Sequence, residues 1–201
     1  MRDILRLIVV LTLVCVVAAI ALAKVYDFTK EPIAEQRRLA RLKAVEAVLP
    51  EHDNQPDENT VTVNLASGES RMVYLGFSGD GISGVAFEIS NSEGYGGEIV
   101  AMLGLDPNGV IQGVEIVRHS ETPGLGAKVT LPEFRSQFVG KSLVNATFAV
   151  KKDGGDFDQV TGATTSPRAI VKAIRQGLEL FQAHRDEIIQ GTSSERMEGQ
   201  A

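Results

Sequence analysis

Residues 158–167 read Asp-Gln-Val-Thr-Gly-Ala-Thr-Thr-Ser-Pro, and a run with helical apolar spacing follows at Ile170, Ile174, Leu178 and Phe181. A turn of small residues feeding a helix N-terminus offers backbone N–H groups and the positive end of the helix dipole. Both favour a phosphate. Gly162 and Ala163 let another molecule approach the backbone closely, and the hydroxyls of Thr161, Thr164 and Thr165 flank them. Asp158 is placed to orient a hydroxyl or to hold a cation during phosphoryl transfer. The same residues also make an ordinary helix start, with Ser166 as N-cap and Pro167 as first helical residue. Residue types alone leave both readings open. The segment is not a Walker loop, because the Gly-Lys-Ser/Thr ending is missing.

A second chemically dense stretch is His119-Ser-Glu121-Thr122-Pro-Gly-Leu125-Gly126-Ala-Lys128. Pro123-Gly124 forces a turn, and Gly126 permits close backbone approach to a flat group. By itself this is equally an exposed Pro-Gly turn after a strand. A third stretch, Tyr95-Gly96-Gly97, precedes another apolar run, and Tyr95 there either borders a ligand or is a turn aromatic. Metal chemistry is not expected, since His52, His119 and His184 are scattered and Cys15 is the only cysteine. A single thiol also cannot ligate an iron–sulfur cluster or close an internal disulfide. An electron carrier on this chain would have to be held by something other than sulfur.

These stretches need a scaffold. From Val61 to Val150 the pattern is of short strands separated by glycines: 61–65, 71–77, 84–89, 98–105, 110–117 and 142–150. Asn108-Gly109 is a strong hairpin signal, and 131–140 reads as a short helix opened by Pro132-Glu133. Helices flank the strands. One spans 32–49, with Pro32 in its first turn and Pro50 as its stop; the other starts near Pro167. Gly177 inside the latter costs about 1 kcal/mol relative to alanine unless packing offsets it. The expected class is α+β, a compact domain with antiparallel strands and flanking helices.

Residues 7–23 carry no charge and are long enough to cross a bilayer, with Arg6 snorkelling towards the headgroups. Ala21-Leu22-Ala23 also fits a signal-peptide cleavage site. The apolar stretch exceeds a usual signal core and a charged helical segment follows, so an anchor is the expectation. The resulting division is a short N-terminal segment at 1–6, an anchor at 7–23, a helical linker at 24–60, the domain at 61–190 and a flexible tail at 191–201. Basic residues on both sides of the span leave its orientation open. A formal net charge of −6 argues against nucleic acid as a partner.

Asp158-x-x-Thr161-Gly162-Ala163-Thr164 resembles the D-x-x-S/T-G-A-T flavinylation motif of the FMN-binding domain family. The stretch from His119 to Gly126 resembles the H-x-E-T-P-G-L-G segment of its ion-pumping members, and Tyr95-Gly96-Gly97 is similar to a G-Y-G-G stretch in the same proteins. The chain departs from the common motif only in having Thr at 161 where Ser is usual, which keeps the hydroxyl. The resemblance covers nearly the whole chain and is strongest to the RnfG family, the G subunits of the Rnf (Rsx) ion-translocating electron transport complex.

The resemblance implies FMN joined by a phosphoester to Thr164, placed there by a flavin transferase that uses FAD and releases AMP. Asp158, Thr161, Gly162, Ala163 and Thr165 would surround the attachment point. Leu125 and Gly126 would meet the flavin ring, Glu121 and Thr122 would reach its heteroatoms, and His119 and Tyr95 would lie nearby. No residue would be catalytic alone. The implied role is a flavin relay in an inner-membrane oxidoreductase that passes electrons between ferredoxin and NAD and moves Na⁺ or H⁺. The other Rnf subunits would be its partners, and the domain would lie on the periplasmic side of a single span. The alternatives are the C subunit of a sodium-pumping NADH:quinone oxidoreductase and a membrane-anchored flavin sensor.

Overall fold

A computed structural model describes residues 2–65, 68–79 and 81–198. The chain divides into two compact units, 1–40 and 41–201. Helix α1 runs from Arg2 to Val48 without interruption and contains Pro32 in its interior. The expectation of a helix starting at Pro32 is therefore corrected. Proline removes one intrahelical hydrogen bond there, but residues 24–31 contain no Gly or Pro to end the helix earlier. Its C-terminal end falls where Pro50 requires. Side chains 7–23 are all exposed, and this is one helix long and apolar enough to cross a membrane.

In the second unit, strands β1 (Thr60–Asn64), β2 (Ser70–Ser78), β3 (Gly81–Gly94), β4 (Gly97–Leu105) and β5 (Ile111–Arg118) form a five-stranded sheet in the order β1-β2-β3-β4-β5. All neighbours are antiparallel. Alternation decides the faces. Val73, Leu75 and Phe77, with Val85, Phe87 and Ile89, and Ile99, Ala101, Leu103 and Leu105, join the main core. There they meet Ile170, Ile174, Leu178 and Phe181 of the C-terminal helix, Thr165–Glu198. Tyr74, Ala86 and Met102 point the other way and are covered by Ala44, Val45, Val48 and Leu49 at the end of α1. The sheet is thus covered by helix on both faces.

Asn108-Gly109 makes the turn expected of it: Gly109 has φ +80° and donates its N–H to Asp106 O at 3.0 Å. The expected helix at 131–140 is split into α2 (Pro132–Arg135) and a 3₁₀ turn at Ser136–Phe138, which leaves the C-terminal helix as α3. The strand expected at 142–150 does not form. Asn145 closes a local turn instead, its Oδ1 accepting the Ser142 N–H at 2.8 Å and its Nδ2 donating to Gly140 O at 3.0 Å. Of that segment, Val150 makes only an isolated bridge to Phe157. Phe134, Phe138, Phe148 and Phe157 fill the core beneath it, with neighbouring ring centroids 4.8–5.6 Å apart. Helix α3 reaches Glu198; the last residues of the expected 191–201 tail, 199–201, lie outside the described residues.

Gly177 lies where α3 crosses the sheet. A Cβ there would stand 2.7 Å from Ile89 Cγ2 and 2.9 Å from Leu103 Cδ2. Alanine would gain about 1 kcal/mol of helix propensity. It would lose about 1–3 kcal/mol by overpacking two buried methyl groups that have nowhere to go. Gly177→Ala is therefore expected to destabilise the domain by about 1 kcal/mol in a denaturant titration. A gain in stability would show that the helix–sheet spacing is slack.

Candidate functional site

The segment before α3 is a turn. The Ala163 N–H donates to Val160 O at 3.0 Å, and Gly162 takes φ +81°, the left-handed conformation required at the third position of a type II turn. The Thr164 carbonyl then accepts the Arg168 N–H at 3.2 Å, so Thr164 holds the N-cap position and the helix begins at Thr165. Ser166, expected as the N-cap, lies inside the first turn and is fully buried. Its hydroxyl faces the core, where it has a partner described below. Thr164 is partly exposed, and among the described residues its hydroxyl makes no hydrogen bond.

The second stretch makes a similar turn. The Leu125 and Ala127 N–H groups both donate to Thr122 O at 3.2 Å, with Pro123 and Gly124 (φ +77°) at the corners. The two turns are adjacent, since a Cβ on Gly162 would lie 3.6 Å from Leu125 Cδ2. Leu125 is 46% exposed and Thr122 is exposed, so this pair of turns presents an apolar and a hydroxyl group to solvent. Tyr95 caps the β3–β4 hairpin and is 76% exposed.

Glu121 joins all three stretches. It is 4% exposed, and both its oxygens are engaged within the chain: Oε1 accepts the Gly96 N–H at 3.1 Å and Oε2 accepts the Ser166 hydroxyl at 2.7 Å. The expectation that its polar group reaches a bound ring meets a side chain turned inward. His119 Nδ1 accepts the Glu121 N–H at 3.1 Å. That bond places the proton of the neutral ring on Nε2.

Asp158 pairs with Lys151 at 2.7 Å, and its N–H donates to Gln137 Oε1 at 2.7 Å. Arg168, one turn beyond Thr164, grips Asp153 through two bonds of 2.5 Å. The Arg168 hydrogen bond holds the Asp153 carboxyl below the usual carboxylate range. Its stabilisation is therefore present above the ordinary carboxylate pKa and fades as the pH falls through the lowered value. The pair is exposed, so the effect is small.

The structure brings the turn that holds Thr122 and Leu125 beside the turn that precedes Thr164, and it gives Gly96 and Ser166 a shared contact with Glu121 that the sequence does not indicate. Gly96 was visible only as part of a glycine pair, and Ser166 was assigned to capping. A cleft of about 500 Å³ lies on the opposite sheet face, lined by Arg41, Arg71, Tyr74 and Glu88 among others. Its arginines are already paired: Arg41 Nε donates to Glu88 Oε1 at 2.8 Å and Arg71 Nη1 to Glu88 O at 2.9 Å. The motif residues lie elsewhere.

The residues present suit a phosphate-linked flavin. Thr164 is partly exposed at a helix N-cap, its hydroxyl makes no hydrogen bond among the described residues, and Leu125 offers an apolar surface beside Gly162.

Residues 94–179 match the FMN-binding domain model, and residues 1–48 match the model of the RnfG N-terminal region. The chain is 36% identical over 190 residues to the G subunit of the ion-translocating oxidoreductase complex of Aliivibrio fischeri, covering 89% of this chain and 90% of that one. It is 37% identical over 199 residues to the same subunit of Pseudomonas aeruginosa, covering 94% and 93%. The fold is similar to the crystal structure of the C subunit of the Na⁺-translocating NADH-quinone reductase from Parabacteroides distasonis, with TM-score 0.50 and 20% identity over 60% of this chain and 65% of that one. Identity of this level along nearly the full length places the chain in the family of G subunits of ion-translocating oxidoreductase complexes.

Proposed function

We propose that this chain is the flavin-bearing subunit of a membrane-bound ion-translocating oxidoreductase, with FMN attached covalently to Thr164. The observation that carries the proposal is Thr164 at the N-cap of α3, partly exposed and with no hydrogen bond to its hydroxyl among the described residues, at the start of a helix that Glu121 ties to the other two motif stretches. In attachment, Thr164 Oγ1 forms a bond to the FMN phosphorus of FAD, the pyrophosphate bond breaks, AMP leaves and the hydroxyl proton passes to solvent. A flavin transferase would supply the site for that exchange. Asp158 pairs with Lys151 at the surface, and its backbone N–H holds the segment before the turn to Gln137. FMN, when bound, supplies one- and two-electron redox chemistry.

The chain's own contribution is to hold the carrier. An ester at the N-cap would keep the flavin from diffusing away, the N–H groups of Thr165 and Ser166 in the first turn of α3 would be available to the phosphate, and Leu125 and Tyr95 offer surfaces for the ring. His119 presents its Nε2–H while its other nitrogen fixes the loop. Residues 7–23 anchor the protein by a single span, with the domain on the periplasmic side of the inner membrane. The span carries no charge, so Na⁺ or H⁺ would move through partner subunits of the complex while this one relays electrons between ferredoxin and NAD.

After co-expression with a flavin transferase, the denatured full-length chain is expected to show flavin fluorescence in a gel; a dark band would oppose the proposal. A periplasm-active reporter fused after Ala201 is expected to be active, and silence there with activity of a cytoplasmic reporter would reverse the sidedness.

A further inference from the structure

Glu121 is out of place by ordinary rules, since a buried carboxylate is costly unless every lone pair is answered. Here it lies in a loop, 4% exposed, and receives one donor from each of two distant elements: the Gly96 amide, 25 residues earlier, and the Ser166 hydroxyl, 45 residues later. The chain is thinned around it. A Cβ on Gly126 would stand 2.6 Å from Ser166 Oγ and collide with Glu121 Oε2, and a Cβ on Gly94 would stand 2.6 Å from Glu121 Oε1. Ser166 has no exposed surface, so its hydroxyl has no alternative partner in water.

We propose that Glu121 is a positioning residue for flavin attachment, fixing the first turn of α3 to the β3–β4 hairpin so that Thr164 presents its hydroxyl outward beside Leu125. The inference rests on the proposed attachment at Thr164. Its geometry is independent of that reading, because all the bonds it uses lie within the chain. Removing the carboxylate takes the acceptor from the Gly96 amide and leaves the buried Ser166 hydroxyl unanswered, which frees both the hairpin turn and the start of α3. Glutamine keeps the shape and both contacts: its oxygen can accept from Gly96, and its NH₂ can donate to Ser166 Oγ with the direction of that bond reversed, so only the Ser166 proton loses its acceptor.

The test uses the full chain in detergent, first without flavin and then with a flavin transferase and FAD. In the flavin-free chain, Glu121→Ala is expected to speed amide exchange at Gly96 and Arg168 by about ten-fold or more, while Glu121→Gln stays within about three-fold of wild type. The rate of flavin attachment, followed by intact mass, is expected to fall by about ten-fold or more in Glu121→Ala and to be largely restored in Glu121→Gln. Should Glu121→Ala fail to fold, Ser166→Ala breaks one arm alone and is expected to free Arg168 but not Gly96. Unchanged exchange in Glu121→Ala, or in Ser166→Ala where that variant stands in, would overturn the proposal. So would a Glu121→Gln chain as slow as the alanine variant, since charge and not hydrogen-bond geometry would then be decisive. A wild-type chain that takes up no flavin would overturn attachment at Thr164 instead, a failure read from the wild type alone.

Discussion

Thr164→Val is expected to abolish covalent flavin while leaving the domain folded. Valine matches threonine in shape and β-branching but has no oxygen to form the ester, so the loss should be complete. Stability should change little. The Thr164 hydroxyl makes no hydrogen bond among the described residues, so the substitution removes a nucleophile and not a side-chain cap. Losing a true N-cap hydroxyl costs about 0.5–2 kcal/mol, and the melting temperature of Thr164→Val should show less than that. Two controls sharpen the result. Thr164→Ser keeps a hydroxyl at the same place and should still be labelled. Thr165→Val alters the neighbour in the first turn of α3 and should leave labelling intact. Flavin retained in Thr164→Val and lost in Thr165→Val would move the attachment point by one residue.

The second large effect concerns stability and lies on the other side of the sheet. Gly104 and Gly113 face each other across β4 and β5, and the last turn of α1 rests on them. A Cβ on Gly104 would collide with the Val48 carbonyl oxygen and stand 2.6 Å from its carbon; one on Gly113 would stand 2.9 Å from Val48 Cα. These are backbone atoms and cannot rotate aside. Gly104→Ala must lift the end of α1 from the sheet and expose Ala44, Val45 and Val48, which are 3%, 1% and 2% exposed. Overpacking costs about 1–3 kcal/mol where side chains can adjust, so a backbone clash of this kind is expected to cost about 3 kcal/mol or more. Denaturant titration of the detergent-solubilised chain should show it, with Gly113→Ala the milder variant. A Gly104→Ala chain of wild-type stability would mean that α1 does not seat there.

Much of this fold is legible because each strand has a strict inside. In β2, Val73, Leu75 and Phe77 meet α3 while Tyr74 meets the end of α1, and a shift of one residue would exchange the two sets. The turn at Asn108-Gly109 and the stop at Pro50 are written in local backbone chemistry, and both occur as read. The failures have physical causes as well. Residues 142–150 carry apolar side chains at 144, 146, 148 and 150 as a strand would, yet Asn145 satisfies the backbone locally and no ladder forms there. Pro32 is compatible with a helix start or a helix interior, and the helix-forming residues before it decide for the interior. Ser166 has a good capping side chain, but the cap position belongs to Thr164, whose carbonyl already accepts the first helical bond.

The site was legible as motifs and not as geometry. Nothing near Glu121 in sequence indicates that its partners are the Gly96 amide and the Ser166 hydroxyl. Those contacts exist only once the hairpin, the loop and α3 have met on one end of the sheet. The motif glycines carry a steric message that spacing alone cannot convey: Gly126 is required by the carboxylate beneath it.

The most direct measurement is fragmentation mass spectrometry of the peptide that contains residues 158–167, taken from chain co-expressed with a flavin transferase. Attachment as proposed predicts an added mass equal to FMN less one water, with fragment ions placing it on Thr164. An unmodified peptide, or the same mass on Thr161, Thr165 or Ser166, would contradict it.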